Sequence, residues 1–149
     1  MRRIWLPALV SVLLVATMAV PSLADSDREF KVPFKAKTVV VNEEMSNGCI
    51  EYDHVGTGTH LGRFDLYETL CPTATGFTVD GTLLAANGDE LYFDVVGTFT
   101  ATGFSSTGWV FVGGTGRFEN ATGQADETLF RDPVTDDIVA ITVKGSITY

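Results

Sequence analysis

Apolar and polar side chains alternate with a period of two along most of residues 30–149, and no stretch of about a dozen residues repeats apolar positions at helical spacing. Clusters of Gly, Pro, Asn and Asp divide this pattern into eight short segments. The segments are residues 30–41, 49–58, 61–71, 76–86, 89–100, 105–113, 121–130 and 138–149. Regularly spaced strands without intervening helical patterns predict an all-β protein, either a sandwich or an up-and-down barrel.

The first 24 residues have a different character. Arg2 and Arg3 precede an apolar run, and residues 22–24 offer the small side chains of a cleavage site, which is typical of a secretory signal peptide. A transmembrane anchor is the alternative, but Pro7 and Pro21 bracket a run shorter than the roughly 20 residues needed to cross hydrocarbon. We therefore predict a signal peptide at 1–24 and one domain at 25–149. That domain is secreted or periplasmic, with no membrane segment after cleavage.

The charge of the remaining chain limits its partners. Without Arg2 and Arg3, eight basic residues stand against 19 acidic ones, a net charge of −11. An acidic surface repels phosphate groups, so nucleic acid and anionic membranes are poor partners. Two histidines without zinc spacing and scattered carboxylates predict no metal site, and no motif predicts a cofactor. Residues 132–137 are acidic but lack the ligand ladder of a calcium loop, so we interpret them as a connection between strands.

The second and third segments predict a specific hairpin. Opposed residues of an antiparallel pair share a face, and their numbers sum to a constant. A constant of 120 pairs Ile50 with Leu70, Tyr52 with Glu68, His54 with Leu66 and Gly56 with Phe64. That face is mostly apolar and the opposite face is charged, as expected for one buried and one solvated side.

The same constant places Cys49 opposite Cys71. Paired strand ends lie close enough for a disulfide, and an exported protein meets an oxidising compartment. We predict a Cys49–Cys71 bridge. Two free thiols are the alternative, whereas a redox pair is disfavoured because the spacing differs from Cys-x-x-Cys.

Two further hairpins follow from the same arithmetic. A type I turn with a left-handed Gly88 gives a constant of 174 and pairs Leu83 with Leu91. For the last two segments, a constant of 268 pairs Leu129 with Val139 and turns Glu127 inward, opposite Ile141.

Four polar side chains then face an aromatic lining. The polar residues are Tyr52, His54, Glu68 and Glu127, and the lining residues are Phe64, Phe77, Phe93 and Phe99. Burial raises the pKa of a carboxyl group and makes its ionised form costly unless it is paired. One hypothesis is that the four polar residues, with Phe64 and Phe93, line a ligand cavity, where His54 and Glu68 offer acid–base or hydrogen-bonding groups. The alternative places them near a barrel mouth with solvated heads.

One glycine-rich string is more distinctive than the rest. It comprises Val112, Gly113, Gly114, Thr115, Gly116, Arg117 and Phe118, followed by Ala121, Thr122 and Gly123. Its glycines permit positive φ and close backbone approach, and Phe118 is placed to plug a barrel end after the turn. The string resembles the Gly-Gly-Thr-Gly-x-Phe-x-x-Ala-x-Gly signature of dirigent proteins and the related allene oxide cyclase superfamily. Residues 57–64 and 85–89 look like patterns in small secreted bacterial relatives of that superfamily.

The resemblance covers most of residues 50–149 and implies an eight-stranded, antiparallel, calycin-like up-and-down barrel. Dirigent proteins orient phenoxy radicals for coupling, and the cyclases fold a fatty-acid epoxide inside an apolar cavity. No motif match reaches the functional positions of either family, so only the structural string at 112–123 transfers to this chain.

Three functions fit these observations. The first is non-catalytic binding of a small hydrophobic or aromatic ligand. The second is an isomerase or cyclase that uses Tyr52, His54, Glu68 or Glu127 on a reactive apolar substrate. The third is a structural or interaction module with a filled core, pairing as a homo-oligomer through outward residues such as Val55. Leu61 and Tyr67 are further outward candidates. A cavity of at least ~300 Å³ with convergent polar groups favours the first two functions, and a filled interior favours the third.

Overall fold

The structure is a computed structural model that describes residues 31–101 and 103–149. The predicted signal peptide at 1–24 lies outside the described residues. Nine strands and one short 3₁₀ helix, Gly116–Phe118, make up the regular structure of the described part. The strands are β1 (Val32–Ser46), β2 (Cys49–Gly58), β3 (Gly62–Pro72), β4 (Gly76–Ala85), β5 (Glu90–Thr100), β6 (Gly103–Ser106), β7 (Trp109–Gly114), β8 (Thr122–Arg131) and β9 (Ile138–Thr148). In the same ranges, no helix is long and apolar enough to cross a membrane.

The strands form a closed antiparallel barrel with meander order. The sheet runs β4-β3-β2-β1-β9-β8-β7-β5, and pairing between β4 and β5 closes it. β7 pairs with the first half of β5 and β6 with the second half, so β6 and β7 share one of eight positions. The chain between them stays attached to β5, because the Thr107 N–H donates to the Val96 carbonyl and the Val96 N–H donates to the Thr107 hydroxyl. The predicted eight-stranded barrel is confirmed, with its sixth strand interrupted.

Two of the three predicted registers are confirmed. β2 and β3 pair with the constant 120, and β4 and β5 pair with the constant 174 around a left-handed Gly88. The predicted register of the last hairpin is wrong by two residues: Leu129 lies opposite Ile141, and Glu127 opposite Val143. A bulge after Phe130 and the turn before β9 absorb the difference. A two-residue shift keeps each side chain on its face, so Glu127 still points inward.

Phenylalanines opposite glycines fill the interior. In five residue pairs, an inward phenylalanine lies opposite a glycine on the neighbouring strand. The pairs are Phe34 with Gly145, Phe64 with Gly56, Phe77 with Gly97, Phe93 with Gly81 and Phe111 with Gly123. At Gly56, Gly81 and Gly97 an added Cβ would overlap the ring of the paired phenylalanine. Each ring therefore occupies the volume that a second side chain would otherwise take in a narrow barrel.

One end of the barrel is closed by side chains that follow turns. Phe118, in the 3₁₀ helix after the glycine-rich string, is fully buried, and its ring contacts Tyr149 edge-on at 5.2 Å. Leu61, in the β2–β3 turn, is 3 % exposed and belongs to the core, so its predicted outward position is wrong. His60 takes a positive φ of 67° in this turn, which lets the chain fold Leu61 inward. Val55 and Tyr67 are exposed on the outer face, as expected.

The predicted disulfide is confirmed. Cys49 and Cys71 are bonded across β2 and β3 at the end opposite Phe118, with their Cα atoms 4.4 Å apart. The described residues contain no free cysteine. The bridge therefore fastens the strand pair that carries Tyr52 and Glu68.

We expect Gly81→Ala to lower the free energy of unfolding by about 1–3 kcal/mol, because the new methyl group overlaps the Phe93 ring in a filled core. Urea unfolding of a double-mutant cycle with Phe93→Leu measures the effect. The pair should be less destabilised than the sum of the single variants by about 1 kcal/mol. Strictly additive losses of unfolding free energy would show that the new methyl group at position 81 does not overlap the Phe93 ring.

Replacing both Cys49 and Cys71 with Ala should cost roughly 3 kcal/mol of unfolding free energy, since the bridge closes a loop of 22 residues' separation. Denaturant titrations of the oxidised protein, the reduced protein and the double variant provide the comparison. The reduced protein and the double variant should have the same free energy of unfolding. Equal stability of all three would contradict a stabilising role for the bridge.

Candidate functional site

The barrel end opposite Phe118 holds a small interior cavity. Its volume is about 40 Å³, and residues from six strands and from the start of β9 line it. Three of them are polar, namely Tyr52, Glu68 and Glu127, and the others are apolar, including Phe77 and Phe104. Space of this size holds a few water molecules or the end group of a larger molecule.

Strand register brings the three polar residues together. Tyr52 on β2 lies directly opposite Glu68 on β3, and both are buried. Glu127 reaches the cavity from β8, across the barrel. Burial is the main cause of the raised pKa of both Glu127 and Tyr52, and the charge of the nearby Glu68 adds to it in both cases. Residues distant in sequence therefore form one polar cluster inside an apolar wall.

Glu127 is held by two donors. The indole N–H of Trp109 donates to its Oε2 at 3.2 Å, and the Ser106 hydroxyl donates to its Oε1 at 3.1 Å. Burial is the main cause of the raised pKa of Glu127; the two hydrogen bonds oppose it, and the charge of Glu68 adds to it. Trp109 is itself fixed by stacking on Phe93, with ring centroids 3.9 Å apart. The alternation of the sequence does not identify Trp109 and Ser106 as partners of Glu127, because the strand that carries them is interrupted and its faces cannot be assigned from the pattern.

His54 lies outside the lining of the cavity and is sealed in the core, 2 % exposed. Its Nδ1 is 3.2 Å from the Thr38 hydroxyl oxygen, and its Nε2 is 3.0 Å from Glu68 Oε2. The Nε2 contact is close, but its angle is unsuitable for a hydrogen bond, so this nitrogen has no hydrogen-bond partner in the described structure. The alternative of solvated heads is wrong for both His54 and Glu68, which is 7 % exposed.

The predicted aromatic lining is only partly present. Phe77 lines the cavity, whereas Phe64 and Phe93 are buried in the core outside it. Phe99 is 60 % exposed, so its predicted interior position is wrong. It has inward parity on β5, but it lies past the end of the barrel wall. There Phe99 and Phe104 flank the Phe77 ring, at centroid distances of 6.0 and 5.4 Å, and form an apolar rim around the mouth.

Two larger hollows lie on the outer surface. One, of about 660 Å³, is bordered by Lys37 and Arg63, and the other, of about 420 Å³, by Tyr67 and Asp94. Both are open grooves between side chains on the solvated face of the sheet. Tyr52 and Glu68 border the second groove as well as the cavity, whereas Glu127, which two donors hold in the interior, borders the cavity and neither groove. The interior cavity is therefore the better candidate site.

The cavity presents one hydroxyl and two carboxyl groups, all of which can form hydrogen bonds. Tyr52 supplies a hydroxyl whose pKa is raised, chiefly by burial, so it stays protonated at neutral pH. The Thr38–His54–Glu68 contact series is enclosed at its Thr38 end, where the hydroxyl is fully buried. Within the described residues, no group of three or more His, Cys, Asp or Glu side chains could hold a metal ion.

No family model, no curated protein and no solved structure matches the chain.

Glu127→Gln tests the electrostatic state of the site. Because the folded-state pKa of Glu127 is raised, the native protein binds this proton more tightly than the unfolded chain does. Wild-type stability therefore falls as pH rises through the window from the ordinary Glu value to the raised one, and the Gln variant lacks this fall. Urea unfolding between mildly acidic and neutral pH should show the stability of the variant rising relative to wild type as pH increases. A pH-independent difference would contradict the raised pKa.

Proposed function

We propose that this protein is a non-catalytic binding protein that takes the end group of a small hydrophobic or aromatic ligand at the open end of its barrel. The observation that carries the proposal is the placement of Tyr52, Glu68 and Glu127 around an interior cavity beneath an exposed aromatic rim. Buried carboxylates cost folding free energy, and such groups in a cleft are typical of functional sites.

The size of the cavity limits what enters it. Pockets that enclose a drug-sized ligand have volumes of about 300–1,000 Å³. The volume here is about 40 Å³, so a bound molecule would insert a group of a few atoms. The remainder would lie at the mouth against Phe99 and Phe104, whose exposed rings offer apolar contact area.

We place the protein outside the cytoplasm, secreted or periplasmic. The Cys49–Cys71 disulfide supports an oxidising compartment, and residues 1–24 have the sequence pattern of a signal peptide. The acidic composition of the chain suits a soluble ligand that is not itself strongly anionic.

The resemblance to dirigent proteins and allene oxide cyclases supports the proposal at the level of the barrel. An isomerase or cyclase of that kind would enclose its substrate. Here the phenylalanine–glycine pairs occupy the middle of the barrel, and His54 does not line the cavity. Catalysis inside the barrel is therefore less well supported than binding at its mouth.

The filled interior also favours a second candidate, a structural or interaction module without a ligand. Val55 and Tyr67 are exposed on the outer face of neighbouring strands, where they offer area for pairing of barrels. This candidate gives no reason for two carboxylates in the cavity, which is why binding is preferred.

Titration with benzyl alcohol, a small neutral aromatic probe, tests the binding proposal. Two-dimensional NMR of ¹⁵N-labelled protein should show saturable shifts concentrated at the amides of Phe104, Glu127, Leu129 and Ile138, which line the cavity and neither outer groove. Trp109 is the only tryptophan after residue 24. The signal of its indole N–H should shift because this group is hydrogen-bonded to Glu127. Shifts confined to the outer grooves, or no saturable shifts, would refute a site at the mouth.

A matched pair of variants sharpens the test. Ile138 lines the cavity, whereas its neighbour Val139 is 40 % exposed on the outer face. Ile138→Phe should weaken binding at least about fivefold, or about 1 kcal/mol, by filling the cavity, and Val139→Phe should leave it unchanged. Equal effects of the two substitutions would contradict the assignment.

A further inference from the structure

The charge inside the cavity is unbalanced. Glu68 and Glu127 both line it, and no Lys or Arg does among the described residues. Arg131 follows Glu127 on β8 but is turned to the loop, where its guanidinium hydrogen-bonds to the Asp136 carbonyl at 2.7 Å. The two carboxyl groups therefore have no cationic Lys or Arg side chain beside them in the described lining of the cavity.

Glu68 accepts no hydrogen bond from the described residues, although its side chain is 7 % exposed. Its one close polar neighbour is His54 Nε2, which is poorly aligned with the carboxylate. A buried carboxylate without donors is costly, and it is stabilised by an N–H or O–H group that reaches it. Because Glu68 lines the cavity, a donor bound there is well placed to supply that bond.

The remaining wall is apolar and partly aromatic. Phe77, Phe104 and Tyr52 border the cavity, and no further charged side chain does in the described structure. Aromatic faces attract ammonium groups as well as apolar ones. A metal ion is a poor occupant, because no group of three or more His, Cys, Asp or Glu side chains in the described part of the chain could hold one.

We propose that the cavity recognises an ammonium group, so that the ligand is a small organic amine with an apolar or aromatic body. The ammonium donates to Glu68, Glu127 and the Tyr52 oxygen, while the body rests on Phe104 and Phe99 at the mouth. This inference rests on the ligand binding proposed above and adds the chemical class of the ligand. The net negative charge of the chain would also draw cations toward the mouth.

Three probes of similar shape separate the possibilities. Benzylamine, benzyl alcohol and benzoate carry a positive, a neutral and a negative end group on the same ring. Dissociation constants for the full-length mature protein come from the ¹⁵N NMR shifts at neutral pH and fixed ionic strength. We expect benzylamine to bind at least about tenfold more tightly than benzyl alcohol, and benzoate to bind more weakly than either.

Charge-matched variants locate the preference. Glu68→Gln and Glu127→Gln each remove one negative charge at the cavity, and Asp94→Asn removes one from the exposed outer face of β5. The two glutamate variants should reduce the preference for amine over alcohol at least about threefold, and Asp94→Asn should preserve it. An equal loss in all three would attribute the preference to net charge and overturn the inference.

The outcomes also separate this inference from the proposed function. Equal affinities for benzylamine and benzyl alcohol at the mouth would leave the binding function standing and refute the ammonium site. Absence of saturable binding by all three probes would refute both. Tight amine binding with shifts confined to the outer grooves would overturn the assignment to Glu68 and Glu127.

Discussion

The packing of phenylalanine rings over glycines on the neighbouring strands is the constraint on which this barrel depends. A small closed barrel has little interior volume, and side chains from facing strands compete for it. Where one partner of a pair is glycine, a full ring fits without displacing the backbone, as for Phe93 over Gly81. The stack of Phe93 on Trp109 extends this packing to β7. The middle of the barrel is therefore solid, and any space for a ligand is confined to an end.

The two ends of the barrel carry different kinds of inward side chain. At one end the glycine-rich string turns into a 3₁₀ helix that inserts Phe118, and the β2–β3 turn adds Leu61. At the other end the inward positions carry Tyr52, Glu68 and Glu127 in place of large apolar residues. Polar groups do not pack as completely as rings over glycines, so a cavity remains there. The site lies where inward positions become polar, beside the Phe77–Gly97 pair.

Much of this was predictable from local patterns. Alternation gave the strands, and hairpin sums gave two registers and the Cys49–Cys71 pair, because tight turns fix which residues oppose each other. The last hairpin was misplaced by two residues because a bulge after Phe130 changes the count without altering the alternation. The Trp109 and Ser106 bonds to Glu127 could not be foreseen, since they depend on barrel closure, which brings β6 and β7 beside β8. The alternation on β5 correctly gives Phe99 an inward parity, but it does not indicate where the barrel wall ends, and Phe99 is exposed.

The position of the disulfide bears on why the polar end persists. Replacing Glu68 with a leucine would remove the cost of a buried carboxylate, so stability alone does not account for its presence. The Cys49–Cys71 bridge joins the ends of β2 and β3, the two strands that place Tyr52 opposite Glu68. It constrains the polar end of the barrel, and its contribution of roughly 3 kcal/mol is comparable to the penalty for a poorly satisfied polar group. The covalent link thus offsets locally the energetic cost of a polar cavity.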